Sequence, residues 1–344
     1  MQVMHGPLGG VQRMRSVMLL LLLEFTLGVA AYPQVPSATG TLTIGVLDGT
    51  PALTFGEIAD ITADASGRIY ILDRHAREIR VFSPDGEALQ IVGRRGGGPG
   101  EYQEPSSVTV LADNRLMVTD RALRRITMYA IEDSLTYQSD IRIDLGIREA
   151  CRIGTNLFLL GFADDALVHQ ITLDRDGVHP VRSFGGRFAD HPMQRTYGEF
   201  IACIPRAGLV VVATGRLPLV QAYRVSDGAL AWKTTLEDYT GIAITPTSGG
   251  GLMYSFPDDQ SWYHWVTGVF PTADGQVAVQ VGTVYQEDES SEARDFAVRI
   301  LSPAGLEVGT ITSTFQVYDV VGGRLYGARA LPFPQVIVDR EGHR

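Results

Sequence analysis

Histidine is the residue type in this chain best suited to metal binding or general base catalysis. Four histidines fall in stretches predicted to be loops: His75, His169, His191 and His264. No two of them stand at the spacing of a known metal-binding motif, and a single histidine is more often an ordinary surface residue. We therefore predict no cofactor, while calcium or zinc bound by histidines and carboxylates stays open as an alternative.

Arginine is the second residue type that could do chemistry, because its guanidinium group makes planar, two-pronged contacts with carboxylates and other anions. Arg74 and Arg121 each follow an aspartate, and Arg94 and Arg95 precede a glycine-rich run. Such a run can cradle a phosphate, but this one matches neither GxxxxGK[ST] nor GxGxxG, and no helix is predicted after it. We therefore interpret residues 93–105 as a flexible connector between structural elements.

The composition of the chain limits the classes of function. Its 344 residues are 45% hydrophobic and 20% charged, which is typical of a folded globular protein. The 29 basic residues, of which all but Lys233 are arginine, and the 39 acidic residues give a net charge of 29 − 39 = −10. A protein that follows nucleic-acid phosphates needs a basic face, so we predict no nucleic-acid partner.

An internal repeat organises the first part of the chain. With a shift of 47 positions, residues 57–82 align with residues 104–129, and eight of the 26 aligned positions are identical. Asp73 and Asp120 are one identical pair. We interpret each of these aspartates as an acceptor for backbone N–H groups of its own loop, the common role of aspartate in turns.

Each repeat has the pattern of four short antiparallel strands. In the first repeat, apolar alternation and turn residues predict strands at residues 58–62, 68–72, 79–82 and 88–92. Four such strands in about 45 residues form one blade of a β-propeller. Four weaker copies follow, at residues 150–184, 200–232, 266–311 and 315–338.

The two ends of the chain are predicted to close the ring. The sixth copy lacks a last strand, and residues 42–47 form a strand-like stretch before the first copy. Pairing these segments would remove the exposed edges of an open sheet. We therefore predict an all-β fold, a six-bladed β-propeller of four-stranded antiparallel blades closed by an N-terminal strand; a seventh blade would need a hidden copy in residues 238–264.

Three segments carry a resemblance to a known family: Ile71-Leu72-Asp73-Arg74, residues 79–86 (IRVFSPDG) and the connector 93–105 (GRRGGGPGEYQEP). They resemble NHL-repeat and related TolB-like six-bladed propellers, a family with exported bacterial members. The match covers residues 57–129 and fades after them. The resemblance implies a six-bladed propeller that binds a partner or ligand on one face, with enzymes among some members, and it is nearly silent on function.

The predicted blades sort the loops by length. In a propeller the first strand of each blade lines a central channel, so the loops between second and third strands share one face with the connectors between blades. We call this the long-loop face, because the long predicted loops all fall on it: residues 94–104, 162–169, 185–199, 238–264 and 286–294. Long loops in compact domains are often functional, so we predict the binding site on this face.

The segment 238–264 combines glycines with a dense set of aromatic residues. If exposed, the rings would form a binding platform; if packed down, they would plug one end of the channel, and we favour the packed arrangement. The predicted ligand-binding residues of the long-loop face are Arg74, Arg94, Arg95, Arg121, His191, Trp262 and His264.

Two cysteines, Cys151 and Cys203, occupy similar positions on the predicted inner strands of the third and fourth blades. A disulfide requires Cα atoms within about 7 Å of each other. The sequence does not determine this distance, so a disulfide and two buried free thiols both stay open.

Residues 1–31 have the order of a secretory signal peptide: Arg13 and Arg15, then an apolar stretch, then Val29-Ala30-Ala31. The apolar run is shorter than the about 20 residues that a membrane span requires. We predict cleavage after Ala31, a flexible lead at 32–40, one propeller domain at 41–344, and export to the periplasm or the medium. A buried N-terminal helix is the alternative.

Together these features favour a binding module over an enzyme. We expect an exported, monomeric propeller, without a membrane span in the mature chain, that binds a protein or a small anionic ligand on its long-loop face without catalysis. The alternative is a metal-dependent hydrolase, lactonase or lyase with calcium or zinc at the mouth of the channel. The sequence contains no nucleophile elbow and no cofactor fingerprint.

Overall fold

Alternating apolar residues and tight turns fold the chain into short antiparallel strands. The computed structural model of the protein describes residues 40–174, 177–186, 199–248, 252–257, 260–286 and 292–340. Twenty-six strands are found in these residues. No helix of the described residues has the length and hydrophobicity needed to cross a membrane. The predicted signal peptide lies outside the described residues.

Six four-stranded antiparallel sheets form the blades of a β-propeller. The first strand of the chain, β1 (Leu42–Ile44), belongs to the last blade. Blade 1 contains β2 (Ile58–Ala63), β3 (Ile69–Asp73), β4 (Glu78–Phe82) and β5 (Ala88–Val92). Blade 2 contains β6 (Pro105–Val110), β7 (Arg115–Asp120), β8 (Arg125–Ile131) and β9 (Leu135–Arg142). Blade 3 contains β10 (Glu149–Ile153), β11 (Asn156–Ala163), β12 (Ala166–Leu173) and β13 (Val178–Phe184).

The second half of the chain continues the same pattern after one interruption. Blade 4 contains β14 (Phe200–Ile204), β15 (Leu209–Ala213), β16 (Leu219–Arg224) and β17 (Leu230–Thr235). A separate hairpin follows, formed by β18 (Ala243–Pro246) and β19 (Leu252–Ser255). Blade 5 contains β20 (Trp262–Pro271), β21 (Val277–Tyr285), β22 (Ala293–Leu301) and β23 (Glu307–Ser313). Blade 6 contains β24 (Gln316–Val321), β25 (Arg324–Arg329), β26 (Gln335–Arg340) and β1.

Blade 6 is completed by a strand from the other end of the chain. Strand β1 pairs antiparallel with β26, placing Leu42 opposite Val338 and Ile44 opposite Val336. The predicted closure by an N-terminal strand is therefore confirmed. The six-bladed count is also confirmed, because the segment considered for a seventh blade contributes the hairpin β18–β19 and the start of β20.

The hydrophobic core is divided among the interfaces between neighbouring blades. Between blades 1 and 2, for example, Tyr70, Leu72 and Val81 pack with Val108 and Leu116. Equivalent clusters join each of the other neighbouring blades, including blade 6 with blade 1. Because apolar burial is the main stabilising contribution to folding, each blade depends on its two neighbours.

Side chains of the inner strands also join neighbouring blades by hydrogen bonds. The Asp60 carboxyl group of β2 accepts the N–H of Val108 at 2.8 Å. The Glu149 carboxyl group of β10 accepts the N–H of Ile201 at 2.7 Å. Thr62 donates its hydroxyl to Asp319 at 2.7 Å, which connects blade 1 to blade 6. These carboxyl groups therefore have a structural role in addition to their place at the channel.

The two aspartates of the repeat accept hydrogen bonds from their own loops, as the sequence predicts. Asp73 accepts the N–H of Ala76 at 2.9 Å, and Asp120 accepts the N–H of Leu123 at 2.9 Å. Each also binds the connector that enters its blade, since Asp120 accepts the N–H of Gln103 at 2.7 Å. Both side chains are fully buried, so they fix the connectors to the blades.

A disulfide joins the inner strands of blades 3 and 4. Cys151 in β10 is bonded to Cys203 in β14, with the two Cα atoms 5.6 Å apart. Of the two arrangements open at the sequence level, the structure therefore has the bridge and not two free thiols. The bond closes a loop of 52 residues, which restricts the unfolded chain.

One loop predicted to be long is short. Strand β11 continues to Ala163 and β12 begins at Ala166, so residues 162–169 contain only a two-residue turn. Its residues Asp164 and Asp165 both have left-handed φ angles, of 50° and 59°. Aspartate tolerates this conformation, and two such residues make the tight turn of a hairpin.

Candidate functional site

Four of the six inner strands carry a β-bulge in their pairing with the second strand of the blade. In β2 the bulge leaves Ala59 between the paired residues Ile58 and Asp60. A bulge bends the strand and redirects one side chain, and bulges are common beside functional sites. The bulged positions of the four strands are Ala59, Ser106, Thr267 and Tyr318. All four line a cavity of about 270 Å³ at the mouth of the central channel, which we call the mouth cavity.

Three arginines from three successive blades line the mouth cavity. Arg74 follows β3 and pairs with Glu57 at 2.6 Å. Arg121 occupies the equivalent position after β7 and pairs with Glu104. Arg148, directly before β10, is partly buried, and its side chain makes no ion pair or hydrogen bond within the described part of the chain. Two arginines of the cavity wall are therefore in ion pairs. The third, Arg148, has no ion-pair partner among the described residues.

Three inner strands carry the carboxyl groups of Asp60, Glu149 and Asp319, and the first two of these groups line the mouth cavity. Burial raises the pKa of Asp60 to about 8, although the hydrogen bond from Val108 opposes the shift. Burial raises the pKa of Glu149 well above its usual range, and repulsion by Asp60 adds to this. Burial also raises the pKa of Asp319. Burial therefore favours the protonated form of all three groups, which lowers the negative charge that Asp60 and Glu149 bring to the mouth cavity.

Glu199 stands where the mouth cavity approaches blade 4. Burial raises the pKa of this carboxyl group, while the positive charges of Arg148 and Arg216 oppose the shift. The residue packs directly over Gly215, where a Cβ atom would collide with the Glu199 carboxyl group and lie 2.7 Å from Nε1 of Trp265. Glycine at this position therefore allows both side chains to approach the backbone closely.

A larger groove of about 840 Å³ lies beside the mouth cavity and shares Phe200, Thr267 and Tyr318 with it. Its wall includes the aromatic rings of Tyr254, Tyr263 and Trp265. We call it the aromatic groove. Charged residues from several different segments complete its lining: Glu57, Arg216, Glu292, Arg294, Asp295 and Arg329.

Arg216 connects the two sides of the aromatic groove. Its guanidinium carbon lies 4.7 Å from the ring centre of Tyr254 in the inserted hairpin. It lies 5.0 Å from the ring centre of Trp265 in β20. Cation–π contacts of this kind hold aromatic rings in fixed positions. Arg216 therefore contacts two of the three aromatic rings in the groove wall.

Trp262 and His264 lie on the opposite side of β20 from the groove-lining residues. Side chains alternate along a strand, and Tyr263 and Trp265 line the groove, whereas Trp262 and His264 line neither cavity. The rings of Trp262 and His264 contact each other, with centres 4.9 Å apart. His264 Nδ1 accepts the N–H of Thr240 at 2.9 Å, and burial lowers the pKa of its imidazole. In the aromatic segment 238–264, Trp262 and His264 are therefore packed against each other, whereas Tyr254 and Tyr263 form part of the groove wall.

Arg94 and Arg95 lie in the glycine-rich connector, away from both cavities. Arg94 bonds to Glu101 at 2.7 Å, and the same carboxylate accepts the N–H of Gly98 at 2.8 Å. The Gly98 hydrogen bond and then the Arg94 contact hold the pKa of Glu101 below its usual range. The Glu101 carboxylate therefore occupies the donors of the glycine-rich connector that could otherwise bind an external anion.

The predicted set and the observed cavities overlap in part. Arg74 and Arg121 line the mouth cavity, and His191 lies outside the described residues. Arg148, Glu149 and Trp265 were not among the predicted ligand-binding residues. The one signal for Arg148 and Glu149 was their place directly before and at the start of an inner strand. Among the residues that the structure describes, no three histidine, cysteine or acidic side chains are placed to hold a metal ion.

Comparisons with known proteins agree on the fold. The DUF5128 family, described as a 6-bladed beta-propeller, matches residues 47–166. No curated protein matches the chain. A DUF4221 family member from Bacteroides vulgatus is 8% identical, with a TM-score of 0.57 over 87% of this chain and 95% of its own.

Two further solved structures are also similar to this chain in fold. A putative exported protein from Bacteroides fragilis is 12% identical, with a TM-score of 0.55 over 88% of this chain and 94% of its own. A luciferin-regenerating enzyme is 12% identical, with a TM-score of 0.53 over 88% of this chain and 96% of its own. Likeness at this level carries the fold and not an activity. The chain is a six-bladed β-propeller, and its relation to NHL-repeat or TolB-like proteins stays a prediction.

Proposed function

We propose that the protein is a non-catalytic binding module that holds a small organic ligand in the aromatic groove of its long-loop face. The observation that carries this proposal is the groove itself, of about 840 Å³ with Tyr254, Tyr263 and Trp265 in its wall. Small-molecule sites are typically concave, about 300–1,000 Å³ in volume and rich in aromatic side chains. A concave site of this size suits a small ligand better than the protein partner that the sequence also left open.

The arrangement of the groove supports a ligand with an apolar, ring-containing body. Aromatic walls offer large contact areas with few rotatable bonds, so binding costs little side-chain entropy. Arg216 holds two of the rings in place. The charged rim would orient polar substituents of the ligand at the entrance.

The proposal can be tested with N-phenyl-1-naphthylamine, an uncharged aromatic probe whose fluorescence rises in apolar sites. We expect saturable binding with a stoichiometry of one, measured by fluorescence titration and calorimetry. Thr314 lines the groove and is exposed, so a Thr314→Phe replacement fills part of the site without removing core packing. We expect it to weaken probe binding at least tenfold.

Thr310→Phe is the matched control, because Thr310 is an exposed residue of β23 that lines neither cavity. It should leave the affinity unchanged. Non-saturable binding, or equal effects of the two replacements, would contradict the groove as the binding site.

We also propose that the protein works outside the cytoplasm. The signal-like order of residues 1–31 supports export, and the Cys151–Cys203 disulfide suits an oxidising compartment. Intact-mass measurement on protein recovered from separated cell fractions tests this. The expected mature chain begins at Tyr32, and a chain that retains its leader in the cytoplasmic fraction would contradict export.

The alternative, a metal-dependent hydrolase, lactonase or lyase, draws on no specific observation among the described residues. Elemental analysis of the purified protein separates the two proposals. We expect no stoichiometric calcium or zinc. One bound ion per chain, lost when His191 is replaced, would favour the enzyme instead.

A further inference from the structure

We propose that the mouth cavity binds the acidic group of the ligand, a carboxylate or sulfonate, with Arg148 as its cationic partner. This inference rests on the proposed function, since it concerns the part of the ligand that reaches beyond the aromatic groove. It assigns the ligand to the class of aromatic or ring-bearing organic acids.

The first argument is the charge balance of the three arginines. Arg74 and Arg121 are already neutralised by Glu57 and Glu104. Arg148 is partly buried, and the described residues supply its side chain with no ion-pair partner. A guanidinium group removed from bulk water is stabilised by an anion that binds it in a bidentate contact. An acidic ligand would provide that anion.

The second argument is the protonation of the carboxyl groups that line the cavity. Ionised carboxylates beside Arg148 would repel an anion, and both Asp60 and Glu149 line the same cavity. Burial raises the pKa of both carboxyl groups, that of Asp60 to about 8, and so favours their protonated forms. A protonated carboxyl group has an O–H that can donate to an anion. The cavity floor therefore offers donors where the sequence alone shows only negative charge.

Glu199 is the acid whose charge interacts with Arg148 in the same cavity. The two side chains attract each other without forming an ion pair or a hydrogen bond. Burial raises the pKa of Glu199 as well, which lowers its negative charge at mildly acidic pH. The Arg148 guanidinium group therefore keeps its hydrogen-bond donors for a ligand.

The groups that face Asp60 come from several elements. Asp319 in β24 repels its negative charge, and the charge of Arg74 attracts it. Glu149 in β10 interacts with Asp60 in the same unfavourable way as Asp319 does. Asp60 in turn raises the pKa of Tyr318, whose largest cause is burial. Two acids and one already paired cation therefore surround Asp60, so its protonated form is the favoured one.

The third argument is the connection between the two cavities. Phe200, Thr267 and Tyr318 belong to both linings. A ligand whose ring lies against these residues in the groove can direct a substituent into the mouth cavity. The volume of about 270 Å³ accommodates an acidic group with bound water.

The test uses two probes with the same aromatic framework. N-phenyl-1-naphthylamine is uncharged, whereas 8-anilinonaphthalene-1-sulfonate carries an acidic group. On the purified protein at pH 6, we expect the sulfonate to bind at least tenfold more tightly. Arg148→Gln should abolish that preference and leave the binding of the uncharged probe unchanged, whereas Arg148→Lys should keep part of it.

Arg142→Gln is the matched control, because Arg142 is an exposed arginine on the outer strand β9, outside both cavities. It should leave the preference for the sulfonate intact. As the pH rises from 6 to 9, ionisation of Asp60 should weaken sulfonate binding several-fold while the uncharged probe is unaffected. Melting temperatures of each variant verify that the fold is retained.

The possible results separate the two proposals. Groove-dependent binding of the uncharged probe without a preference for the sulfonate would overturn only this inference. So would a sulfonate preference that survives in Arg148→Gln, or saturable calcium binding to the acids of the mouth cavity. Binding of neither probe to the groove would overturn the proposed function and this inference together.

Discussion

Replacing Asp60 by asparagine tests the electrostatics of the channel directly. In the folded protein burial raises the pKa of Asp60 from 3.8 to about 8. Between these two pH values the unfolded chain releases the Asp60 proton while the folded protein keeps it. The protonated carboxyl group therefore stabilises the fold fully below about pH 4, and this contribution is lost as the pH rises to about 8.

The size of the effect follows from the width of that window. Roughly four pH units at about 1.4 kcal/mol each give a loss on the order of 5 kcal/mol at the alkaline end. An asparagine side chain cannot ionise, so the Asp60→Asn protein should lack this part of the pH dependence. It should also show a constant offset of about 1 kcal/mol, because an amide has one acceptor oxygen for the two N–H groups of Ile61 and Val108.

The assay is urea denaturation of both proteins at intervals from pH 4 to pH 9. We expect the free energy of unfolding of the original protein to fall, relative to the Asp60→Asn protein, by up to about 1.4 kcal/mol per pH unit and then to level off. Asp85→Asn, in an exposed turn, is the control and should give a curve parallel to the original. Parallel curves for Asp60→Asn would refute the burial argument.

Three further replacements test other parts of the structure. Replacing both Cys151 and Cys203 by alanine should lower the free energy of unfolding by about 4 kcal/mol, from the entropy of the closed loop; an unchanged denaturation midpoint would argue against the bridge. Gly215→Ala places a Cβ atom against Glu199 and Trp265, so groove affinity for N-phenyl-1-naphthylamine should fall at least tenfold, whereas Gly309→Ala, in open space, should have no effect. Asp120→Ala leaves three partly buried backbone N–H groups, two in the connector and one in its own loop, without their acceptor. It should cost about 2–4 kcal/mol in thermal or urea unfolding, whereas exposed Asp113→Ala should cost under about 0.5 kcal/mol.

The fold was largely predictable because its signals are local and repeated. Asp73 and Asp120 occupy the same position in the two copies of the repeat. In each blade this aspartate accepts a backbone N–H of its own loop, so the sequence marks the position of that loop. Period-two apolar patterns mark the strands. Ring closure by β1 followed from counting strands, since the last blade lacked one. Each of these inferences needs only residues close together in sequence or one repeat apart.

The site was less predictable because it depends on which side of a strand a residue occupies. Trp262 and Trp265 are equally aromatic, but strand alternation puts only Trp265 in the groove wall. A one-residue bulge, such as that at Tyr318, reverses this alternation within a single strand. Nothing in the local composition marks these bulges. The density of aromatic residues therefore marks the segment 238–264, but it does not indicate which of those residues line the groove.

The net charge of a chain says little about the charge at a particular site. The chain has a net charge of −10, which excluded a nucleic-acid partner, whereas the predicted ligand was a protein or a small anion. Net charge sums exposed groups that are screened by salt, whereas a cavity depends on the few groups that line it. In the mouth cavity burial raises the pKa of Asp60 and Glu149, while guanidinium groups keep their charge when buried. The net charge of the whole chain therefore does not determine the charge at this cavity, where three arginines stand beside carboxyl groups of raised pKa.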